Sequence, residues 1–298
     1  MSRHRSAGAV RGAAGAGRAS RWSNVDLHAH STASDGVLSP ADLVRRAHAG
    51  GVDLFALTDH DELAGVAEAA RAAEALGMGF VAGVEISVTW AGETVHVLGL
   101  GVDPDSETLR RGLAQVRSGR DARAREIGAQ LGSAGIPGAY EAALAHAGNR
   151  ALVSRTHFAR HLVETGACRD MDEVFRRFLV EGKPGYVAHR WARLDDAMRW
   201  IRAAGGTPVL AHPARYAFDD TALWAMIGAF RDLGGLGIEV VCGSHLPDEY
   251  ARFARVAAEF GLLASRGSDF HAPGESRADP GRLPALPGGL RPVWEAWA

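Results

Sequence analysis

Histidine and carboxylate residues recur in this chain just past short apolar runs, at points far apart in sequence. Val25-Asp26-Leu27-His28-Ala29-His30 leads to Ser34-Asp35-Gly36, Ala56-Leu57-Thr58-Asp59-His60 follows, and Gly267-Ser268-Asp269-Phe270-His271 lies near the end. Each apolar run reads as a buried strand. Alternate strand residues point the same way, so His28 and His30 can reach one cation. Imidazole nitrogens and carboxylate oxygens gathered at strand ends form the donor set of a divalent metal.

Three further intrusions carry the same signal. Glu85 stands inside Val81-Ala82-Gly83-Val84-Glu85-Ile86. A lone ionised carboxylate there is costly unless it bridges cations or, as the alternative, pairs with an arginine. His96 interrupts the next apolar run, and Val209-Leu210-Ala211-His212-Pro213 places a histidine at the end of another. His28, His30, Asp35, His60, Glu85, His96, His212, Asp269 and His271 together exceed what one zinc ion takes and suit two to three divalent ions sharing bridging carboxylates. Centres of that kind serve phosphoester hydrolysis. Catalysis is expected to rest on Asp35, His60, Glu85, Asp269 and His271, with Asp59 orienting an imidazole.

The elements that must position these donors alternate. A strand over 25–27 precedes a helix opened by Ser39 as N-cap and Pro40 at the first helical position. Strand 52–57, helix 62–76 and strands 80–86 and 95–100 follow. Such alternation predicts an α/β protein with a parallel sheet or barrel, its ligands at the carboxyl ends of the strands. From 106 to 182 the pattern is helical throughout, with breaks near Gly135–Gly138, Gly148-Asn149 and Thr165-Gly166. It then resumes as helix 194–204, strand 207–211, helix 219–233, strand 236–241, helix 248–260 and strand 262–265. Residues 23–298 read as one domain with a helical insertion at 104–190. Residues 1–22, with Arg3, Arg5, Arg11, Arg18 and Arg21 among Gly, Ala and Ser, read as a disordered basic tail. The ending, with Pro280, Pro284, Pro287 and Pro292, reads as a surface wrap.

Composition narrows the class. The 298 residues are 47% hydrophobic and 23% charged, enough for a large core. A formal net charge of -2 gives no global attraction to DNA or membrane, so anion binding must be local. No apolar run is long enough to span a bilayer. Cys168 and Cys242 form no paired motif, which fits a reducing cytoplasm rather than a disulfide framework. No obligate protein partner is implied.

Local anion binding has several candidates. Arg155-Thr156-His157 opens a helix, where backbone N–H groups and a guanidinium favour phosphate, although an ordinary helix start would look the same. Arg117, Arg120, Arg123 and Arg125 fall on one long helix, and Arg120 cannot share a face with all the others, which marks it for substrate contact. Lys183 is the sole lysine and sits with Tyr186 and His189 where the insertion rejoins the α/β part. Trp191 and Phe270 are candidates to stack on a base.

D-L-H-x-H, T-D-H, V-E-I-S, A-H-P and G-S-D-F-H stand in this order, and on them the chain resembles the polymerase and histidinol phosphatase (PHP) family over residues 24–275. The resemblance implies a distorted barrel of about seven strands with a trinuclear Mn, Fe or Zn centre at the carboxyl ends of the strands. The insertion, with Ser154-Arg155-Thr156-His157-Phe158-Ala159, is similar to the branch of 3′,5′-nucleoside bisphosphate phosphatases, which includes a 5′→3′ exoribonuclease acting on short RNA. That likeness implies His28 and His30 on one metal with Glu85 and Asp269 as shared or adjacent ligands, His96 and His212 on a second, and Asp35, His60 and His271 on a third. It also implies a small nucleotide or short RNA substrate, whose 5′-phosphate anchors to basic groups on the insertion. Two alternatives stand beside it. One is a phosphatase for histidinol phosphate or another small monoester, which needs no such extra wall. The other is a non-catalytic, metal-stabilised binding module.

Overall fold

The apolar runs do form strands. A computed structural model, which describes residues 22–297, places seven of them in one sheet in sequential order. They are β1 (Val25–Asp26), β2 (Leu54–Leu57), β3 (Gly79–Trp90), β4 (Glu93–Leu100), β5 (Thr207–Leu210), β6 (Gly237–Cys242) and β7 (Leu263–Gly267). The chain past β7 returns to the chain past β1. Leu27 N donates to Arg266 O at 3.0 Å and His30 N to Phe270 O at 2.8 Å, which nearly closes a barrel.

One strand pair departs from the expected parallel order. β1, β2 and β3 are parallel, as are β5, β6 and β7, but β4 runs antiparallel to both neighbours. Trp90 pairs with Glu93 across Ala91 and Gly92, whose φ values are 48° and 90°. A two-residue turn with both central residues left-handed matches the twist of a hairpin. The polar exposed tip hid this hairpin among the helix–strand alternation.

Helices α1 (Pro40–Ala49) and α2 (Val66–Ala75) cover β1 to β3. Ser39 Oγ accepts from Asp42 N at 3.1 Å, the cap expected for α1. Between β4 and β5 lie α3 (Glu107–Arg117), α4 (Arg120–Ser133), α5 (Ala139–His146), α6 (Arg155–Glu164) and α7 (Met171–Val174), the last continued by a π turn over Phe175–Leu179. The arginines expected on one helix are therefore split between α3 and α4, with Gly119 lying against His189 at the break. Leu109, Leu113 and Val116 of α3 pack with α8 (Leu194–Ala203) into the main core. Ile127, Leu131, Phe158, Leu162 and Val174 gather in a separate cluster of their own. α9 (Asp220–Asp232) and α10 (Pro247–Phe260) complete the outer layer.

The barrel interior is filled by Leu27, Leu54, Ala56, Leu98, Leu100 and Val209, and the proline-rich ending belongs to it as well. Val293 and Trp294 are buried in this cluster, and Trp297 Nε1 donates to Thr207 Oγ1 at 2.9 Å. The ending is a plug at the amino ends of the strands rather than a surface wrap. Trp294→Ala is expected to cost about 3–5 kcal/mol in a urea-unfolding measurement. Trp22, expected in the tail, packs half-buried on the same cluster; residues 1–21 of that expected tail lie outside the described residues. No helix among the described residues is long and apolar enough to cross a membrane.

Candidate metal centre

All nine expected donors converge at one end of the barrel. His28 and His30 follow β1, His60 follows β2, Glu85 lies in β3 and His96 in β4. His212 follows β5, and Asp269 and His271 follow β7. Glu85 sits at the centre. Its Oε1 is 2.9 Å from both His96 Nδ1 and His212 Nε2, and its Oε2 is 2.9 Å from His60 Nδ1, 3.2 Å from His30 Nε2 and 3.3 Å from His28 Nε2. Asp269 Oδ1 lies 3.5 Å from His28 Nε2 and 3.4 Å from His30 Nε2. Asp35 Oδ1 lies 3.3 Å from His271 Nε2.

These residues fit a set of cations better than they fit one another. Several of the buried donor atoms that face each other make no hydrogen bond: Glu85 Oε2, His60 Nδ1 and Asp35 Oδ1 have no partner. Ring nitrogens of His28 and His30 approach to 3.1 Å, and those of His96 and His212 to 3.3 Å. Ligand atoms cluster in overlapping groups: His30, Asp35, His60 and His271; His28, His30 and Asp269; His28, Glu85 and His212; His60, Glu85 and His96. Buried carboxylates and imidazoles left without hydrogen bonds are costly, and divalent ions accepting both donor types remove that cost. Charge balance agrees. Burial opposes ionisation of Glu85, but His96, His60 and His28 hold its carboxyl well below the usual range. Burial likewise opposes charge on His30, yet the facing carboxylates of Asp269 and Glu85 push it up to about 10. Cations would take the place of such protons. His212, pushed down to about 4 by burial, is neutral and ready to ligate.

Backbone conformation is unusual where it must aim these side chains. Asp61, His212 and Asp269 have φ values of 51°, 23° and 53°. Non-glycine residues in that region store strain that surrounding contacts must hold, a pattern found at functional sites.

Two positioning carboxylates behave differently from expectation. Asp59 orients no imidazole. It accepts from Ser31 N at 2.7 Å, Ser31 Oγ at 2.6 Å and Ser34 Oγ at 2.5 Å, and so fixes the loop carrying Asp35. The imidazole is oriented instead by Glu239, a fully buried residue that sequence reasoning missed. Glu239 Oε1 is 3.0 Å from His28 Nδ1, and Oε2 accepts from His212 N at 2.7 Å. Its signal was a carboxylate inside the apolar run Gly237-Ile238-Glu239-Val240-Val241, the same signal that exposed Glu85. Partners of ligating imidazoles set their orientation and basicity. Glu239→Gln is expected to weaken metal affinity about 10- to 100-fold, read by titrating the chelator-stripped protein.

A cavity of about 460 Å³ opens beside the donors. Its lining includes the donors Asp35, His60, His96, His212, Asp269 and His271 together with Arg120, Arg123, Arg155, Thr156 and Trp191. Arg120, expected to meet substrate, is committed to the Asp61 carboxylate and donates to Ser87 Oγ at 3.2 Å. Arg123 and Arg155 are different. They donate to the backbone oxygens of Val187 and Leu179, stack on Trp191 and Phe175, and pair with no carboxylate among the described residues. Burial, with Arg155 and Arg120 alongside, disfavours charge on Arg123. Arg215 lies at the other wall, its Nη1 2.9 Å from Asp269 Oδ2.

The remaining candidates fall elsewhere. His157 is buried behind the cavity, where its Nδ1 accepts from Ser154 N at 2.9 Å as part of a capping box. Burial pushes it down to about 4. Lys183 is exposed and outside the cavity lining. Phe270 is fully buried with Leu43, Val44 and Phe55, so it cannot stack on a base, whereas Trp191 lines the cavity.

The PHP domain family matches residues 26–197, more than half of the chain. The chain belongs to the PHP family. It is similar to a 3′,5′-nucleoside bisphosphate phosphatase of Chromobacterium violaceum, at 51% identity over 91% of this chain and 95% of that protein. It is also similar to a 5′-3′ exoribonuclease of Haemophilus influenzae, at 42% identity over 91% of this chain and 97% of that one. A solved structure of an amidohydrolase from Chromobacterium violaceum, with bound sulfate and no metal, superposes with a TM-score of 0.90. Identity there is 51%, covering 92% of this chain and 95% of the other.

Proposed function

We propose that this PHP protein is a metal-dependent phosphoesterase that removes the 3′-phosphate from 3′,5′-bisphosphate nucleotides and trims short 5′-phosphorylated RNA from its 5′ end. The observation that carries the substrate is the shared lining of one cavity: a polynuclear donor set, and two guanidiniums without carboxylate partners among the described residues, Arg123 and Arg155. A monophosphate needs the donors alone. A nucleotide with two phosphates needs both, and a cavity of about 460 Å³ is within the range of small-ligand sites.

Divalent cations, manganese in our reading, would be held by the nine donors and would supply Lewis-acid charge and a water of lowered pKa. The chain's own residues then act around the substrate. Arg123 and Arg155 hold the 5′-phosphate and fix the reach to the next phosphorus. Arg215 adds positive charge beside Asp269, where the phosphoryl oxygens arrive. Trp191, already stacked under Arg120 and Arg123, offers an indole edge to the base or ribose. The P–O3′ bond breaks as water oxygen bonds to phosphorus and a proton of that water passes to O3′, releasing phosphate and a 5′-nucleotide. In RNA the same step frees a 5′-nucleotide and leaves a new 5′ end. Both cysteines are free and buried, which supports a cytoplasmic setting.

The test compares phosphate release from adenosine 3′,5′-bisphosphate, histidinol phosphate and 5′-phosphorylated oligoribonucleotides, with Mn added. The bisphosphate is expected to lead. Faster release from histidinol phosphate would transfer the reading to small monoesters, and metal binding without any release would make the protein a binding module.

A further inference from the structure

The helices between β4 and β5 do more than wall the cavity. They grip both loops that carry the outermost ligands. The loop bearing Asp35 is held in three places. Gly148 packs so tightly on it that an added Cβ would sit 2.6 Å from Thr32 O. Asn149 Nδ2 donates to Ala33 O at 3.2 Å, and Ser154 Oγ donates to Asp35 Oδ2 at 3.0 Å. The loop bearing His271 is held from α6: Arg160 Nε donates to Glu275 Oε1 at 3.0 Å and its Nη2 to Glu275 Oε2 at 2.9 Å. Next to Glu275, Ser276 Oγ accepts from His271 N at 2.8 Å. Toward the inner ligands the insertion reaches Asp61, beside His60, through Arg117 and Arg120. His28 and His212 rest on Glu239, within the barrel.

We infer that Ser154 and Arg160 are positioning residues for a single cation position, the one framed by His30, Asp35, His60 and His271, so that these two side chains of the inserted segment set its occupancy. The Asp35 and His271 loops meet through facing ligand atoms, Asp35 Oδ1 and His271 Nε2 at 3.3 Å, and through the Val37 N to His271 O bond at 3.0 Å. Holding each from a common helical body fixes the gap between them. Ser154 serves this end at little extra cost, because the same hydroxyl caps α6 by accepting from Thr156 N at 3.1 Å.

This inference rests on the metal-centre reading. It is tested by stripping the full chain with a chelator, refilling it with Mn2+, and measuring cations retained per chain against a competing chelator of graded strength. Ser154→Ala and Arg160→Met are each expected to weaken retention of one cation about 10- to 100-fold and leave the rest unchanged. Ser154→Thr should restore it. In a His271→Ala background, which removes the same position, Ser154→Ala should add nothing. Wild-type retention in both variants, equal weakening of every cation, or a further loss in the His271→Ala background would overturn the inference. Retention of no cation by the wild-type chain would instead defeat the metal-centre reading itself. The unfolding midpoint of each metal-stripped variant, expected to stay near that of the stripped wild type, separates lost positioning from lost folding.

Discussion

Glu85→Gln is expected to lower kcat/KM on a 3′,5′-bisphosphate nucleotide by about 10³-fold or more while the protein stays folded. Glu85 is the one carboxylate whose two oxygens face five imidazoles, His28, His30, His60, His96 and His212. The amide keeps the volume and can still bond to His212, so packing in β3 survives. It loses the negative charge that two neighbouring cation positions would share, and a neutral oxygen is a poor bridge. Two readouts belong together. Metal retained per chain should fall, and the unfolding midpoint of the chelator-treated form should stay near that of the chelator-treated wild type. Full activity in the variant would place the reacting centre elsewhere in the cavity.

The centre was legible because most donors interrupt or end an apolar run, and a charged or imidazole side chain there needs a reason to be present. That logic reaches Glu85, His96 and His212 without any view of the fold. The same logic applies to Glu239, missed although its run is equally apolar: Glu239 bonds His28 Nδ1 and the backbone of His212, and strand position alone does not separate that role from ligation. The barrel's strand count and order follow from alternation, whereas the direction of β4 does not. A two-residue turn at Ala91-Gly92 and a helical crossover both begin with a break in the apolar pattern. Arginine roles were the least legible. Arg120 and Arg123 are three residues apart on α4, but Asp61 reaches one and not the other. That difference depends on a left-handed Asp61 whose conformation no local pattern announces.

The division between Arg120 and Arg123 leads to the second large effect, dependence on the 5′-phosphate. Wild-type enzyme should favour adenosine 3′,5′-bisphosphate over the 3′-monophosphate by roughly 10³-fold in kcat/KM. A hydrogen bond to a charged group contributes about 2 kcal/mol, so each guanidinium accounts for roughly 30-fold. Arg155→Ala or Arg123→Ala should each remove about 30-fold from the bisphosphate rate and almost nothing from the monophosphate rate. The double variant should treat the two substrates alike. Arg120→Ala is expected to behave differently. It strands the buried Asp61 carboxylate, which is fully enclosed, and so should lower stability and both rates together. The contrast separates an anion site from a structural ion pair among neighbours on one helix. Equal rates on the two substrates in the wild-type enzyme would remove the 5′-phosphate from recognition altogether, and with it the anchoring role of Arg123 and Arg155.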